Sequence, residues 1–324
     1  MTVTMVDALN AALHDALEAC DRVLVVGEDV GRLGGVFRVT DGLQAKFGED
    51  RVIDSPLAES SLVGTAIGMA MRGCRPVLEM QFDSFTYPAF AQISWHLARF
   101  RFRSRGAITM PVVIRVPYGG GIGSPEHHSE SPETYFVPTA GLKVFVPSTP
   151  GDAYSLLREA IDLDDPVMFF EPKHDYWSSQ DVELPLAAPP AGQALVARSG
   201  NDVTVASYGP AVKIALAASD YLASEGVGVE VIDLRTLNPL DTATVTGSVA
   251  RTGRVVVVHE APVFGGFGGE LVARVVERCF DSLLAPPARV GAFSVPYPPS
   301  SIEGEYLPSV DRVVDAIDAL MAFE

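Results

Sequence analysis

Val23-Leu24-Val25-Val26 is an unbroken apolar run between Arg22 and Gly27, and such a run predicts a strand buried on both faces. Strand-like segments recur at Val52-Ile53-Asp54, Val77-Leu78-Glu79-Met80, 111–116, 143–147 and 166–170. Helix-period stretches lie between them at Ser60–Arg72, Pro88–Arg103 and Thr149–Asp162. Thr4 followed three residues later by Asp7 predicts a capping box opening a helix that runs to Ala19. Thr149 with Pro150 predicts a second capped start, since proline suits the first helical position. Strands alternating with helices in this way imply a parallel sheet covered by helices.

Residues 176–194 break the pattern. Leu184-Pro185-Leu186-Ala187-Ala188-Pro189-Pro190-Ala191-Gly192 has no periodicity and reads as a linker. A second series follows, with strands at Val203–Ser207, Val227–Asp233, Val255–His259 and Val290–Ser294. Its helices are expected at Ala211–Glu225, Asp241–Arg251 and Glu270–Phe280. The expected architecture is α/β, with parallel-type sheets flanked by helices in two domains, 1–176 and 195–324, joined by a linker over 177–194. A chain of 324 residues is long enough for two cores.

Charge narrows the function classes. Twenty-four basic against 41 acidic residues give a net charge of −17, which disfavours nucleic acid and anionic membrane as partners. Cys20, Cys74 and Cys279 lie far apart and fit neither a zinc site nor a disulfide framework. No apolar run approaches a membrane span, and Met1–Asp7 lacks the basic and apolar regions of a secretory signal, so a cytoplasmic location is expected.

Three segments carry candidate chemistry. Pro56-Leu57-Ala58-Glu59 brings a carboxylate to the mouth of a small-residue helix, where it either complements the helix dipole or is held for chemistry. Gly64 and Gly68 share one face of that helix and would allow a tight helix–helix seam. The loop Tyr118-Gly119-Gly120-Gly121-Ile122-Gly123 running to His127, His128 and Glu133 follows a predicted buried strand. It should emerge at the carboxyl end of the sheet, with glycines that allow backbone to approach a ligand and imidazoles that titrate near neutrality. The alternative is a solvated surface loop. Gln81-Phe82-Asp83-Ser84-Phe85 places an aromatic at the same sheet end, where core packing is its alternative fate. The glycines of 264–270 fail the dinucleotide fingerprint and are better read as a turn packing a helix against a sheet.

Six ordered stretches give the chain a resemblance: Pro56-Leu57-Ala58-Glu59, Glu79-Met80-Gln81-Phe82, His127-His128-Ser129-Glu130-Ser131-Pro132-Glu133, Phe169-Phe170-Glu171-Pro172-Lys173, Val231-Ile232-Asp233-Leu234-Arg235-Thr236 and His259-Glu260-Ala261-Pro262. Together they resemble the beta subunit of the thiamine-diphosphate-dependent 2-oxoacid dehydrogenase decarboxylating component, of the transketolase-like superfamily. The fourth stretch and the His-Ser-x-Ser-Pro-Glu run look more like the branched-chain enzymes than the pyruvate ones. The resemblance implies a pyrimidine-binding domain, a transketolase-like carboxyl-terminal domain and an α2β2 heterotetramer whose thiamine site lies between subunits. It also implies transfer of the acyl group to a lipoyl acyltransferase component. The alpha subunit would hold magnesium and the diphosphate through a Gly-Asp-Gly motif, which does not occur in this chain.

Carried over by position, Glu59 would hydrogen-bond the aminopyrimidine ring nitrogen and favour the imino tautomer that serves as a base. Phe85 would stack on that ring, with Leu57 and Gln81 lining the pocket. His128 aligns with the active-site histidine that orients or protonates intermediates. A structural potassium ion would be held by Val112, Ala160, Ile161, Leu163 and Asp165, with Asp165 in place of a more usual asparagine and Leu163 where relatives often carry aspartate. The expected activity is oxidative decarboxylation of a branched-chain 2-oxo acid with reductive acylation of a lipoyl domain. A pyruvate or acetoin dehydrogenase beta subunit is the alternative within the class. A non-catalytic α/β partner subunit is the alternative outside it, and would need neither Glu59 nor His128.

Overall fold

The chain begins with a short strand, β1 (Thr2–Thr4), paired antiparallel with β8 (Ser179–Asp181). The structure, a computed structural model, describes residues 2–186 and 188–323. Thr4 then caps α1 (Met5–Ala19): its hydroxyl accepts the Asp7 N–H at 3.1 Å, and the Asp7 carboxylate accepts the Thr4 N–H at 3.1 Å. That is the expected capping box. Leu9, Ala12, Leu13, Ala16 and Leu17 recur at helical spacing and are buried in the first core.

The apolar runs of the first half become β2 (Val23–Gly27), β3 (Val52–Asp54), β4 (Arg75–Glu79), β5 (Val113–Tyr118), β6 (Lys143–Phe145) and β7 (Val167–Pro172). They stand in the order β6-β7-β5-β4-β2-β3, all parallel, so their carboxyl ends share one edge. Gly27 lies opposite both Asp54 and Glu79, which brings the segments after β2, β3 and β4 together. Helix α2 (Leu43–Phe47) is short, α3 (Glu59–Met71) follows β3, α5 (Glu133–Phe136) is a single turn, and α6 (Pro150–Asp162) starts on the Thr149 cap. The helix expected over Pro88–Arg103 differs in form. It is a π-type segment at Gln92–Leu97 running into α4 (Ala98–Arg103), and Ser94 Oγ donates back to the Phe90 carbonyl at 2.7 Å where the helix widens.

The second half forms its own five-stranded sheet from β9 (Leu195–Arg198), β10 (Val203–Ser207), β11 (Val229–Asp233), β13 (Val255–Pro262) and β14 (Ala288–Ala292). A short strand, β12 (Thr236–Asn238), follows β11. The order is β14-β13-β10-β11-β9, and β9 alone runs antiparallel, at the edge. The second sheet is therefore mixed and mostly parallel, an antiparallel edge strand being a common addition to a parallel sheet. Helices α7 (Ala211–Ala223), α8 (Thr242–Thr252, capped by Asp241) and α9 (Gly268–Cys279) flank it. After the one-turn α10 (Glu303–Tyr306), a helix absent from the expectations, α11 (Val310–Met321), turns Val313, Ile317 and Leu320 into this second core.

Contacts divide the chain into two units, residues 1–118 with 135–191 and residues 119–134 with 192–324. The histidine-bearing loop follows β5 in sequence yet packs with the second unit. Within the segment expected to be a linker, 177–194, β8 is regular strand and the Ala191 N–H donates to Glu159 at 2.8 Å; Ala187 lies outside the described residues. The three cysteines are free, and among the described residues no helix is long and apolar enough to cross a membrane.

Candidate active site

Two groups of side chains occupy the carboxyl edge of the first sheet. Glu59 is the first residue of α3, behind an Ala58 N-cap whose side chain bonds nothing. Its carboxylate is half-buried and, among the described residues, makes no hydrogen bond or ion pair. Glu28, just after β2, faces it. Burial, then the charges of Glu59 and Asp29, push the Glu28 carboxyl above the ordinary glutamate range. Sequence reasoning missed Glu28, although its position directly after a buried strand of a parallel sheet was a usable signal.

Gln81 Nε2 donates to Asp29 Oδ2 at 3.3 Å, tying the end of β4 to the end of β2. Phe85 lies on a 3-10 turn, Asp83–Thr86, partly buried and edge-on to Phe82 at 5.9 Å. Leu57 is 74% exposed beside this edge. The structure thus collects Leu57, Glu59, Gln81 and Phe85 on the first unit. An unpartnered carboxylate, an amide, an exposed aliphatic and an aromatic face suit a flat aromatic heterocycle with ring nitrogens, so these residues fit the aminopyrimidine of thiamine diphosphate.

Beneath them lies a buried charged network. Arg115 donates to Glu79 at 2.5 Å and to both oxygens of Glu171 at 2.7 and 2.9 Å, and Tyr176 Oη donates to Glu171 at 2.6 Å. Burial raises the Glu79 carboxyl, and Arg115 works against that rise. Lys173 Nζ donates to Asp83 at 3.0 Å with both side chains fully buried, which pins the turn that carries Phe85. Phe169, Phe170, Glu171 and Lys173 of the Phe-Phe-Glu-Pro-Lys stretch are therefore interior residues supporting the edge from below.

His127 and His128 belong to the second unit, on a short 3-10 turn, Glu126–His128. His127 is exposed and His128 partly buried, their rings edge-to-face at 4.2 Å. The glycines before them are spent within the chain. Gly119, Gly121 and Gly123 have φ of +82, +84 and +70°, and a Cβ on Gly120 would stand 1.8 Å from the Tyr297 hydroxyl. The backbone approach expected toward a ligand is thus made to Tyr297, Glu260 and Glu303. The glycines of 264–270 pack as expected: a Cβ on Gly266 or Gly268 would meet the His259 ring at 2.5 or 2.7 Å. His259 is buried, which lowers it to about 4; its Nδ1 donates to the Ala261 carbonyl at 2.9 Å.

The carbonyls expected to hold potassium have partners of their own. Arg75 Nη1 donates to those of Ile161 and Leu163 at 3.0 and 2.9 Å, and the Val167 N–H donates to that of Val112 at 2.9 Å. Asp165 receives Arg101 at 2.6 Å. Three of the five carbonyls are thus engaged within the chain, and Arg75 brings a positive charge, paired with Asp164, to two of them.

Residues 1–177 match the family described as transketolase, pyrimidine binding domain, and residues 192–313 match the transketolase C-terminal domain. The chain is 53% identical over 321 residues to the 3-methyl-2-oxobutanoate dehydrogenase subunit beta of Mycobacterium tuberculosis, covering 99% of this chain and 92% of that one. It is 51% identical over 322 residues to the pyruvate dehydrogenase E1 component subunit beta of Leifsonia xyli, covering 99% and 96%. Among solved structures, a split-gene transketolase described as an inactive beta4 tetramer superposes with a TM-score of 0.81 at 23% identity over 99% of each chain. At that identity it shares the fold alone.

Proposed function

Because the chain belongs to the family of 2-oxoacid dehydrogenase decarboxylating-component beta subunits, we propose that it completes a thiamine-diphosphate site together with an alpha subunit. The proposed reaction is oxidative decarboxylation of a branched-chain 2-oxo acid and transfer of the acyl group to a lipoyl domain. Bound thiamine diphosphate supplies the carbon nucleophile and the electron sink for this chemistry. Glu59 holds a proton at the ring nitrogen of the aminopyrimidine. Phe85 presents its face to that ring, Gln81 orients it, and Leu57 excludes water from it. His128 moves a proton during acyl transfer, a step in which a sulfur must be protonated.

The observation that carries this reading is the Glu59 carboxylate. Among the described residues it makes no hydrogen bond or ion pair, and after burial it is the next largest cause of the raised Glu28 carboxyl, so it brings an electrostatic cost for little structural return. A charge in an exposed first turn contributes under about 1 kcal/mol to a helix. The alpha subunit is proposed to hold magnesium and the diphosphate, in an α2β2 assembly that docks on a lipoyl acyltransferase. The exposed Gly64 and Gly68 of α3, with open space where a Cβ would point, suit a close subunit seam.

A pyruvate dehydrogenase beta subunit is the second reading, favoured by the 51% identity to a relative of that name. One experiment separates the possibilities: mix the purified chain with its alpha partner and compare 3-methyl-2-oxobutanoate with pyruvate. Activity that appears only on mixing, and is faster with the branched substrate, is expected. Robust turnover by the chain alone would overturn the subunit assignment, and faster turnover of pyruvate would overturn the branched-chain reading.

A further inference from the structure

The glycine-rich loop offers almost nothing but backbone to hold it in place. From Gly119 to Gly123 only Ile122 has a side chain, so the loop's available donors are its amide N–H groups. Two buried glutamates of the second unit receive them. Glu260 Oε1 accepts the Gly120 N–H at 2.6 Å and the Ser131 hydroxyl at 3.1 Å, gripping both ends of the loop with one oxygen. Glu303 accepts the Gly121 N–H at 3.0 Å, the Gly123 N–H at 3.2 Å and the Tyr297 hydroxyl at 2.5 Å. Each of the two glutamates is 9% exposed. The Gly119 N–H to Glu130 carbonyl bond, 2.9 Å, closes the neck of the loop.

The glycines and the glutamates explain each other. A Cβ on Gly119 would lie 2.7 Å from Glu260 Oε1, so the carboxylate can come this close only to glycine. Ionised acceptors make the stronger class of hydrogen bond, and an acceptor-only group suits a row of N–H donors. Burial, then the Glu303 carboxylate, push the Tyr297 hydroxyl up, which keeps it a donor. Between the anchored positions 123 and 131 hangs the turn that bears His127 and His128. Within that turn the His128 N–H donates to the Pro125 carbonyl at 2.9 Å, the Ser129 N–H to the Glu126 carbonyl at 3.0 Å and Ser129 Oγ to the Ser124 carbonyl at 3.2 Å.

We propose that Glu260 and Glu303 are positioning residues for His128, acting through the backbone of residues 119–131 as a two-carboxylate cradle. This rests on the reading of His128 as the group that serves acyl transfer. Neither glutamate touches a reacting atom. Their role is to fix where the imidazole stands, and misplacement of a proton-transfer group by about an ångström can lower a rate a hundredfold.

The test uses the complex assembled with the alpha subunit, in wild-type form and as Glu260→Gln, Glu303→Gln and His128→Ala. Three quantities are compared: hydrogen–deuterium exchange of peptides covering 117–134, substrate-dependent reduction of an artificial electron acceptor, and single-turnover acylation of a lipoyl domain. Both glutamine variants are expected to speed exchange in the loop and slow acylation about ten- to a hundredfold, while dye reduction stays within about twofold. If either variant folds poorly, Ser131→Ala and Tyr297→Phe each delete one cradle bond without disturbing a buried charge, and should shift the same readouts less far. Unchanged loop exchange, or an equal fall in dye reduction and acylation, would overturn the cradle. Normal acylation by His128→Ala would instead remove the reading beneath it, and the two failures are told apart by that one variant.

Discussion

Glu133 allows the electrostatics of the second unit to be tested without any cofactor. Its side chain is fully buried, accepts the Tyr208 hydroxyl on Oε1 at 2.7 Å, and has no partner for Oε2 among the described residues. Burial raises its carboxyl from 4.5 to about 8, against a lowering by Tyr208 and with a smaller rise from the Glu260 charge. A shift of that size corresponds to about 5 kcal/mol between the two protonation states. Because the folded value lies above the unfolded one, this stabilisation is complete below pH 4.5 and is lost as pH rises through about 8. His259, lowered to about 4, acts in the opposite direction, but only between that value and its ordinary 6.5. Between pH 6.5 and 8 the His259 contribution no longer changes, and Glu133 is expected to lower the unfolding free energy by about 2 kcal/mol, a share that comparison with a Glu133 variant separates from the raised Glu28 and Glu79 carboxyls and the lowered Cys20 thiol. Glu133→Gln keeps the oxygen that accepts from Tyr208 and imitates the protonated acid. Urea denaturation of the purified chain across that interval should show a falling stability for wild type and a much flatter profile for the variant. Identical slopes in the two proteins would refute the assignment of a neutral Glu133.

Lys173→Met should destabilise the chain by about 3–5 kcal/mol, because it leaves the Asp83 carboxylate buried without the ammonium it faces. Urea denaturation measures this, and a loss below about 1 kcal/mol would show that the pair is not needed to hold the Phe85 turn. Potassium chloride, compared with choline chloride at equal ionic strength, should raise the melting temperature by about 2 °C or more if a cation sits on the carbonyls near Arg75. No difference would mean that the arginine closes that cage alone.

Local signals were the ones the sequence made readable. Thr4 with Asp7, and Thr149 with Pro150, start helices where expected, because a cap depends on residues three positions apart. Runs such as Val23–Val26 became strands because burial on both faces leaves no polar position to confuse the pattern. Long-range pairings were hidden. Nothing near Gly120 announces that Glu260 and Glu303, more than a hundred residues away, will receive the loop's amides, so the glycines read as ligand-facing. For the same reason the Phe-Phe-Glu-Pro-Lys stretch read as a family mark, while its Glu171 and Lys173 are in fact bound to Arg115 and Asp83 on other elements. Glu28 was overlooked because its significance comes from Glu59, on a neighbouring strand's exit, and not from its own sequence neighbours.

The central claim is that Glu59 is held for proton chemistry on the cofactor. The most direct measurement is hydrogen–deuterium exchange at the reactive carbon of thiamine diphosphate in the assembled complex, comparing wild type with Glu59→Gln. The substitution keeps the shape of the side chain and removes its charge, so exchange should slow about a hundredfold or more while the fold is retained. Near-normal exchange in Glu59→Gln would contradict the account and leave Glu59 as a first-turn charge on α3.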